Sequence, residues 1–136
     1  MYPHGRLGHV ALRVRSLAVS VPFSTAVLGL REVARLDGPG RAIIGGEMAF
    51  LTFDSNHHDL ALLESPKARP ADPLCVGLVH VALRIGDDIE ALRTIHARLR
   101  DQGVALTQSR DHEVSQSLYL RDPEGLLVEV EYSGPT

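Results

Sequence analysis

One short string occurs twice in the chain, and this repeat constrains the fold more than any other feature. The segments GHVALRV (8–14) and VHVALRI (79–85) share the letters HVALR, and the shared string begins with His9 in one copy and His80 in the other. Both copies are short apolar runs rich in residues that favour strands. The repeat therefore predicts two similar modules, each with a histidine at the start of its first strand.

A helical segment follows each copy of the repeat. The first is SVPFSTAVLGL (20–30), in which Ser20 can cap the helix. The second is DDIEALRTIHARLRDQG (87–103), in which Asp87 and Glu90 have the spacing of a capping box. Apolar residues at helical spacing in the second segment form a stripe for the core, namely Leu92, Ile95 and Leu99. Each module is therefore expected to contain one helix after its first strand.

Three strands are expected after each helix. They are RAIIGG (41–46), MAFLTF (48–53) and DLALLE (59–64) in the first module, and VALTQS (104–109), QSLYLRD (116–122) and LLVEVEY (126–132) in the second. The predicted fold class is thus α+β, with two βαβββ modules related by a pseudo-twofold. We expect one domain over residues 1–136, with modules at about 6–64 and 76–132 and an exposed linker at about 65–75.

The composition of the chain indicates which classes of protein and of binding partner are expected. The chain has 136 residues, 44% of them hydrophobic and 23% charged, which is typical of a globular protein. Its net charge of −3 and the lack of a basic run give no indication of nucleic-acid binding. Cys75 is the sole cysteine, so no disulfide can form within the chain, and the longest uncharged run (16–30) is too short to span a bilayer. These features predict a cytoplasmic protein.

The paired histidines favour a metal site over two isolated structural histidines. A pseudo-twofold would bring His9 and His80 together from separate parts of the chain, as metal sites often require. A carboxylate could come from the last strand, where Glu129 and Glu131 share one face after the sharp turn at Asp122. Taken without the histidines, both glutamates would be ordinary solvent-facing residues of an edge strand.

These features resemble the vicinal-oxygen-chelate superfamily (glyoxalase/bleomycin resistance/dioxygenase), and within it the single-domain extradiol ring-cleaving dioxygenases. The resemblance extends from GHVAL to VEVEY. It implies a cupped, partly open mixed β-barrel with helices outside and a divalent metal in the cup. The implied ligands are His9, His80 and Glu129, the last of which lies four residues after the glycine of RDPEG. Fe(II) would be the metal, or Mn(II); a glyoxalase-like protein would instead use Ni(II) or Zn(II).

The number of carboxylates favours the dioxygenases within this superfamily. Aligning FLTFD (50–54) with LYLRD (118–122) places Ala61 at the position equivalent to Glu129. A glyoxalase-like site with two histidines and two glutamates would need an acid there, and Glu64 could supply it only if the strand register slipped. Three protein ligands with open positions are typical of non-haem Fe(II) oxygenases.

Two further segments resemble extradiol enzymes. DHEVSQSLYLRDPEGLLVE (111–129) is similar to their signature through His112 and Tyr119, although Arg110 departs from it. HHDLAL (57–62) resembles the segment that carries the acid–base histidine, and this match indicates His58. Strand alternation instead favours His57, because position 57 would share a face with position 61. We favour His58, because it lies at the start of the strand, where turns and bulges interrupt the alternation, and His57 remains the alternative.

The resemblance implies cleavage of a catechol-type ring with O2. His58 would exchange protons with the substrate, and His112 and Tyr119 would hydrogen-bond its oxygens. Two alternatives stay open: a glyoxalase-type lyase or isomerase acting on a small carbonyl substrate, and a non-catalytic small-molecule binding protein of the drug-resistance type. A homodimer is expected by analogy with the superfamily.

Overall fold

The computed structural model describes residues 1–111 and 115–133. The chain divides into two compact units. Unit 1 consists of Met1–Thr25 and Gly29–Ala68, and unit 2 of Ala26–Leu28 and Arg69–Thr136. In the described part of the chain, every helix is too short or too polar to cross a membrane.

Unit 1 is built on a mixed sheet of four strands. The elements of the first half of the chain are β1 (Val10–Val14), α1 (Leu17–Pro22), a π-helical turn (Phe23–Val27), β2 (Arg31–Leu36), a 3-10 turn (Gly38–Gly40), α2 (Arg41–Ile44), β3 (Met48–Thr52) and β4 (Leu60–Glu64). The strand order is β1-β4-β3-β2, in which β1 and β4 are parallel and the other neighbours are antiparallel. The first strand of the unit is therefore an edge strand beside the last.

Unit 2 repeats this plan. Its elements are β5 (Val81–Gly86), α3 (Ile89–Asp101), β6 (Leu106–Asp111), β7 (Ser115–Arg121) and β8 (Leu127–Ser133). The strand order is β5-β8-β7-β6, with β5 and β8 parallel. The predicted α+β fold of two βαβββ modules is thus confirmed. The strands form two separate sheets of four, however, rather than a closed barrel.

The core of unit 2 shows which face of its sheet is covered by the helix and which face carries the polar side chains. Helix α3 packs on β5, β7 and β8, and its predicted stripe is buried. The buried apolar side chains are Leu92, Ile95, Leu99, Leu118, Leu120, Val128 and Val130. Each fully buried side chain of this size contributes about 1.5–3 kcal/mol. Because strand side chains alternate, Tyr119 and Glu129 point to the face opposite α3.

The first helix begins earlier than expected, and Ser20 is not its cap. α1 starts at Leu17, with Ser16 at the N-cap position making no side-chain capping bond. The Leu17 N–H donates instead to Glu64 Oε2 at 2.8 Å. Ser20 lies inside the helix and is buried. The helical segment does end at Gly29, whose φ of 84° suits glycine.

The second helix is displaced by one residue at its start. Asp88, rather than Asp87, is the N-cap residue, and its carboxylate accepts a hydrogen bond from the Ala91 N–H at 3.1 Å. Glu90 is in the first turn, where a negative charge is favourable. The end near Gly103 is confirmed, since this residue has a φ of 69°.

The predicted strand RAIIGG (41–46) is wrong. Arg41–Ile44 is a single helical turn, which Gly45 ends at a φ of 85°. The strand is instead Arg31–Leu36, and its register with β3 shifts between Glu32 and Ala34. A bulge of this kind interrupts the alternation of polar and apolar residues that marks a strand in a sequence.

Candidate functional site

Unit 2 brings together a histidine, a carboxylate and a phenol. His80 Nε2 lies 3.2 Å from Glu129 Oε2, and Tyr119 Oη donates a hydrogen bond to Glu129 Oε1 at 2.9 Å. The rings of His80 and Tyr119 are 6.1 Å apart and nearly perpendicular. Glu129 is 8% exposed, so this carboxylate is buried with both of its oxygens engaged.

The strand register accounts for this arrangement. Glu129 lies opposite Ala82 in the parallel β5–β8 pair and opposite Tyr119 in the antiparallel β7–β8 pair. His80 immediately precedes β5 and is two residues before Ala82, so it shares a face with Glu129. The turn between β7 and β8 fixes this register, because Asp122 Oδ1 accepts bonds from two backbone N–H groups of the turn at 2.8 and 2.9 Å.

The donor pair suits one divalent cation. Nitrogen and oxygen ligands that each lie about 2.1 Å from a common ion, at right angles to each other, are about 3 Å apart. The separation of His80 Nε2 from Glu129 Oε2 agrees with this value. Within neither unit does the described chain assemble a cluster of three histidine, cysteine or acidic groups that could hold a metal ion. Unit 2 therefore contains two candidate ligands, and the metal site formed by His9, His80 and Glu129 stays a prediction.

A cavity of about 430 Å³ lies in unit 2, and its lining does not include His80, Tyr119 or Glu129. Its lining includes Leu78 and Val79, which directly precede His80, and Leu126 and Leu127, which precede Glu129 by three and two residues. Arg121 also lines the cavity and donates a hydrogen bond to the Gly125 carbonyl at 3.1 Å. The lining of this cavity thus combines apolar side chains with Asp72 and Arg121.

Unit 1 surrounds its equivalent histidine differently. The ring of His9 lies 4.3 Å from that of His58, centroid to centroid. His57 Nδ1 and His58 Nδ1 are hydrogen-bonded at 2.8 Å. Phe50 meets His58 edge to face at 5.0 Å. His9 and His57 are exposed, and His58 is half-buried.

The loop that carries these histidines is organised by Asp59. Its carboxylate accepts hydrogen bonds from Asn56 Nδ2 at 2.6 Å, the Phe53 N–H at 2.9 Å and Thr52 Oγ1 at 3.0 Å. Its carbonyl accepts from the Val10 N–H at 3.1 Å, next to His9. Asp59 therefore ties the start of β1 to the loop, which places His58 against His9. Sequence reasoning quoted Asp59 only as part of HHDLAL and missed its role in organising the loop; the aspartate three residues after an asparagine was a further signal.

The choice between His57 and His58 follows from where β4 begins. The strand starts at Leu60, so residues 57–59 precede it and strand alternation does not apply to them. Of the two histidines, His58 is the one that contacts His9. The structure thus places His58 beside the candidate ligand and leaves His57 on the solvent side.

Two ionisable groups of this loop have lowered pKa values. Burial lowers the pKa of His58 below its ordinary value of 6.5, and the positive charges of His9 and His57 lower it further, while Asp59 opposes them. For Asp59, burial raises the pKa, but the hydrogen bonds from Asn56, Phe53 and Thr52 outweigh it, so the pKa lies below 3.8. At neutral pH His58 is thus a neutral imidazole beside a carboxylate.

No acid occupies the position in unit 1 that corresponds to Glu129. Ala61 lies opposite Ala11 in β1–β4, as Glu129 lies opposite Ala82 in β5–β8. Glu64 lies opposite Val14 and accepts the Leu17 N–H, so it caps α1. The described unit 1 thus has one candidate ligand, His9.

Three other residues were singled out from the sequence, namely His112, Glu131 and His96. His112 lies outside the described residues, so its assignment stays a prediction. Glu131 lies opposite Arg84 in β5 and Ser117 in β7, one step along the sheet from Glu129. His96 is exposed on α3.

Comparison with known proteins places this arrangement in a family. Residues 6–130 match the family model described as the Glyoxalase/Bleomycin resistance protein/Dioxygenase superfamily. The chain belongs to this superfamily. The resemblance drawn from the HVALR repeat and the RDPEG turn is therefore confirmed.

Two similar proteins are named as dioxygenases. The chain is 34% identical over 131 residues to biphenyl-2,3-diol 1,2-dioxygenase 3 of Rhodococcus globerulus, covering 93% of this chain and 62% of that enzyme. It is 31% identical over 124 residues to catechol-2,3-dioxygenase of Bacillus subtilis, covering 91% of this chain and 40% of that enzyme. The chain thus spans less than two thirds of the length of these superfamily members.

A solved structure shares the fold over almost the whole chain. The glyoxylase/bleomycin resistance protein/dioxygenase domain from Frankia sp. EAN1pec superposes with a TM-score of 0.80 at 22% identity, covering 95% of this chain and 92% of that one. This superfamily member supports the fold assignment.

Proposed function

We propose that this superfamily member is an extradiol-type dioxygenase that cleaves the ring of a catechol-type substrate with O2. One observation carries the proposal: unit 2 holds His80, Glu129 and Tyr119 in contact, while unit 1 has Ala61 where a second carboxylate would stand. That asymmetry leaves one carboxylate and two histidines for the metal. Relatives named as diol dioxygenases, at 31% and 34% identity, support the same reaction.

His9, His80 and Glu129 would hold the metal, with Fe(II) proposed first and Mn(II) second. When bound, the ion would supply Lewis acidity toward the diol and redox chemistry toward O2. Glu129 would contribute the negative charge that balances part of the charge of the cation. Tyr119 would keep that carboxylate oriented through its 2.9 Å hydrogen bond.

The protein's own groups would handle substrate and protons. His58 would accept a hydroxyl proton of the diol, since its lowered pKa keeps the ring neutral and able to accept. Tyr119 and His112 would hydrogen-bond the substrate oxygens. Leu78 and Val79, which line the cavity of unit 2 and precede His80 in the chain, would contact the hydrocarbon part of an aromatic ring. We further propose a cytoplasmic homodimer that acts in the breakdown of aromatic compounds.

The alternative functions fit less well. A glyoxalase-type isomerase with two histidines and two glutamates needs a second acid, and Ala61 cannot ligate a metal. Glu64 cannot replace it, because its carboxylate caps α1. A non-catalytic binding protein would not need the buried contact between His80 and Glu129.

The test is oxygen uptake by the protein loaded with Fe(II) under anaerobic conditions, given a panel of one-ring and two-ring catechols. We expect one O2 consumed per diol, with a coloured ring-opened product. His58→Phe should lower turnover about 100-fold or more and retain iron, since general acid–base catalysis contributes about 10²–10⁴. His96→Phe, at an exposed helix position, is the matched control. Tight iron binding without oxygen uptake for any diol would overturn the proposal in favour of the isomerase.

A further inference from the structure

The neighbouring histidines 57 and 58 form a hydrogen bond that the assigned roles do not use. Their Nδ1 atoms are 2.8 Å apart, and their rings are nearly perpendicular, with centroids 5.0 Å apart. A bond between two imidazole nitrogens requires that one carries hydrogen and the other a lone pair. The tautomers of His57 and His58 are therefore coupled.

We propose that His57 is a positioning residue for His58: its Nδ1 accepts a hydrogen bond from the Nδ1–H of His58, which fixes the orientation of that ring and leaves the unprotonated Nε2 available to accept a substrate proton. The inference deepens the proposed function, on which it rests in one respect, that His58 acts on substrate. Histidines that handle protons or metals commonly have one ring nitrogen occupied by such a partner, which selects the tautomer.

The surroundings of the pair support a positioning role. Three hydrogen bonds to the Asp59 carboxylate, from Asn56, Phe53 and Thr52, hold the loop on either side of the two histidines. Phe50 contacts both rings, at 5.0 Å from His58 and 6.4 Å from His57. The hydrogen bonds of Asp59 and the ring of Phe50 thus hold the two histidines in positions where their Nδ1 atoms meet.

A purely structural role for His57 is disfavoured by its exposure. His57 is exposed, whereas His58 is half-buried. Replacing an exposed side chain leaves no cavity in the core and changes stability little. Any effect of a change at His57 on His58 must therefore pass through the Nδ1 contact or the ring contacts, and these can be separated by choice of variant.

The experiment measures the tautomer of His58 directly. Metal-free protein labelled with ¹⁵N-histidine is examined by long-range ¹H–¹⁵N NMR, and single substitutions assign the rings among the seven histidines. The wild type should show one tautomer for His58. His57→Phe, which keeps a ring against Phe50 but has no nitrogen, should give a mixture of both tautomers. His57→Gln, which can hydrogen-bond, should restore a single tautomer, and His96→Phe should leave the spectrum of His58 unchanged.

Kinetics of the Fe(II)-loaded protein provide the second readout. We expect His57→Phe to lower kcat about tenfold while KM stays within about twofold, because orienting partners contribute about 10–100-fold. His57→Gln should recover most of kcat. A single, unchanged His58 tautomer in His57→Phe overturns the inference, whatever the activity. A wild type that consumes no O2 overturns the proposed function instead, and the NMR result then still decides whether His57 positions His58.

Discussion

Each unit has a histidine immediately before its first strand, but the two histidines have different surroundings. In unit 2, His80 meets the buried carboxylate of Glu129, which Tyr119 also binds. In unit 1, His9 meets the half-buried imidazole of His58. The repeat thus supplies equivalent positions, and sequence differences place a carboxylate beside the histidine in unit 2 and a second imidazole beside it in unit 1.

Two aligned positions create most of this difference. Ala61 and Glu129 are equivalent by their parallel partners. Phe50 lies opposite Ala61 as Tyr119 lies opposite Glu129. Unit 1 is therefore apolar where unit 2 has a hydrogen-bonded acid. The variants below test whether the residues at these positions account for the different properties of the two units.

The largest effect is expected from Glu129→Gln, which makes unit 2 resemble unit 1 in charge. The amide keeps the size of the side chain and can accept the Tyr119 hydrogen bond, but it does not carry the charge that balances a divalent ion. Affinity for Fe(II) should fall by more than about 100-fold, since even partners outside the ligand set contribute about 10–100-fold. Glu131→Gln is the control on the same strand. Equal iron content of both variants after desalting would contradict the ligand assignment.

The reciprocal change, Ala61→Glu, gives unit 1 a carboxylate. Position 61 is 1% exposed, so the free energy of unfolding should fall by about 2–4 kcal/mol as a charged group is buried. Ni(II) or Zn(II) should restore part of it, because His9 is placed relative to position 61 as His80 is relative to Glu129. Ala61→Gln, which carries no charge, should gain nothing from metal. Urea unfolding with and without metal measures these free energies for both variants. If metal stabilised Ala61→Glu and Ala61→Gln equally, the two units would not be equivalent at this position.

The aspartates of the two loops should give opposite pH dependence. Asp59 has a pKa lowered below 3.8, because three hydrogen bonds outweigh burial, so its stabilisation is present above pH 3.8 and is lost as pH falls through the lowered value. Burial raises the pKa of Asp122 despite bonds from Leu126 and Glu124, so its contribution is lost as pH rises above 3.8.

Unfolding free energies between pH 2 and 7 test this contrast. Asp59→Asn should cost about 1–2 kcal/mol at neutral pH, as expected for hydrogen bonds to a charged group, and less in acid. For Asp122→Asn, the free energy of unfolding minus that of the wild type should be larger at neutral pH than in acid. Parallel pH profiles for the two variants would show that the loops do not differ in this way.

The smallest effect is expected from two buried serines, one on α1 and one on β7. In the described chain, the hydroxyls of Ser20 and Ser117 are buried without a hydrogen-bond partner. Ser20→Ala and Ser117→Ala should therefore be neutral or stabilising by up to about 1 kcal/mol. Thr52→Val, which removes a buried hydroxyl bonded to Asp59, should instead cost about 1–2 kcal/mol. A loss of stability in either alanine variant would reveal a partner for that hydroxyl.

Periodic and repeated features of the sequence predicted the fold well. The HVALR repeat indicated two modules, and the spacing of Leu92, Ile95 and Leu99 indicated the buried face of α3. These features succeed because they report burial on one face of an element, which tertiary contacts reinforce. The equivalence of Ala61 and Glu129 was also accessible, since both follow a strand and a turn.

Features that depend on local competition were less predictable. Neighbouring Asp87 and Asp88 could both cap α3, and the choice depended on which one met the Ala91 N–H. Sequence alignment paired Phe50 with Leu118, whereas the register matches it to Tyr119, because the segment from Phe50 to its partner Ala61 is one residue longer than the segment from Tyr119 to its partner Glu129. That extra length is where His57 and His58 lie, so strand periodicity could not rank them.

The parallel pairing of the first and last strands of each unit has a consequence for folding kinetics. Val10 pairs with Leu60, and Val81 with Val128, so each edge strand joins a partner formed far later in the chain. Closing such long loops is slow, and hairpins such as β7–β8 form sooner. His9 and His80 stand at the start of these late edges. During refolding, retention of the proposed metal should therefore appear after most of the secondary structure, which would make it a sensitive signal that folding is complete.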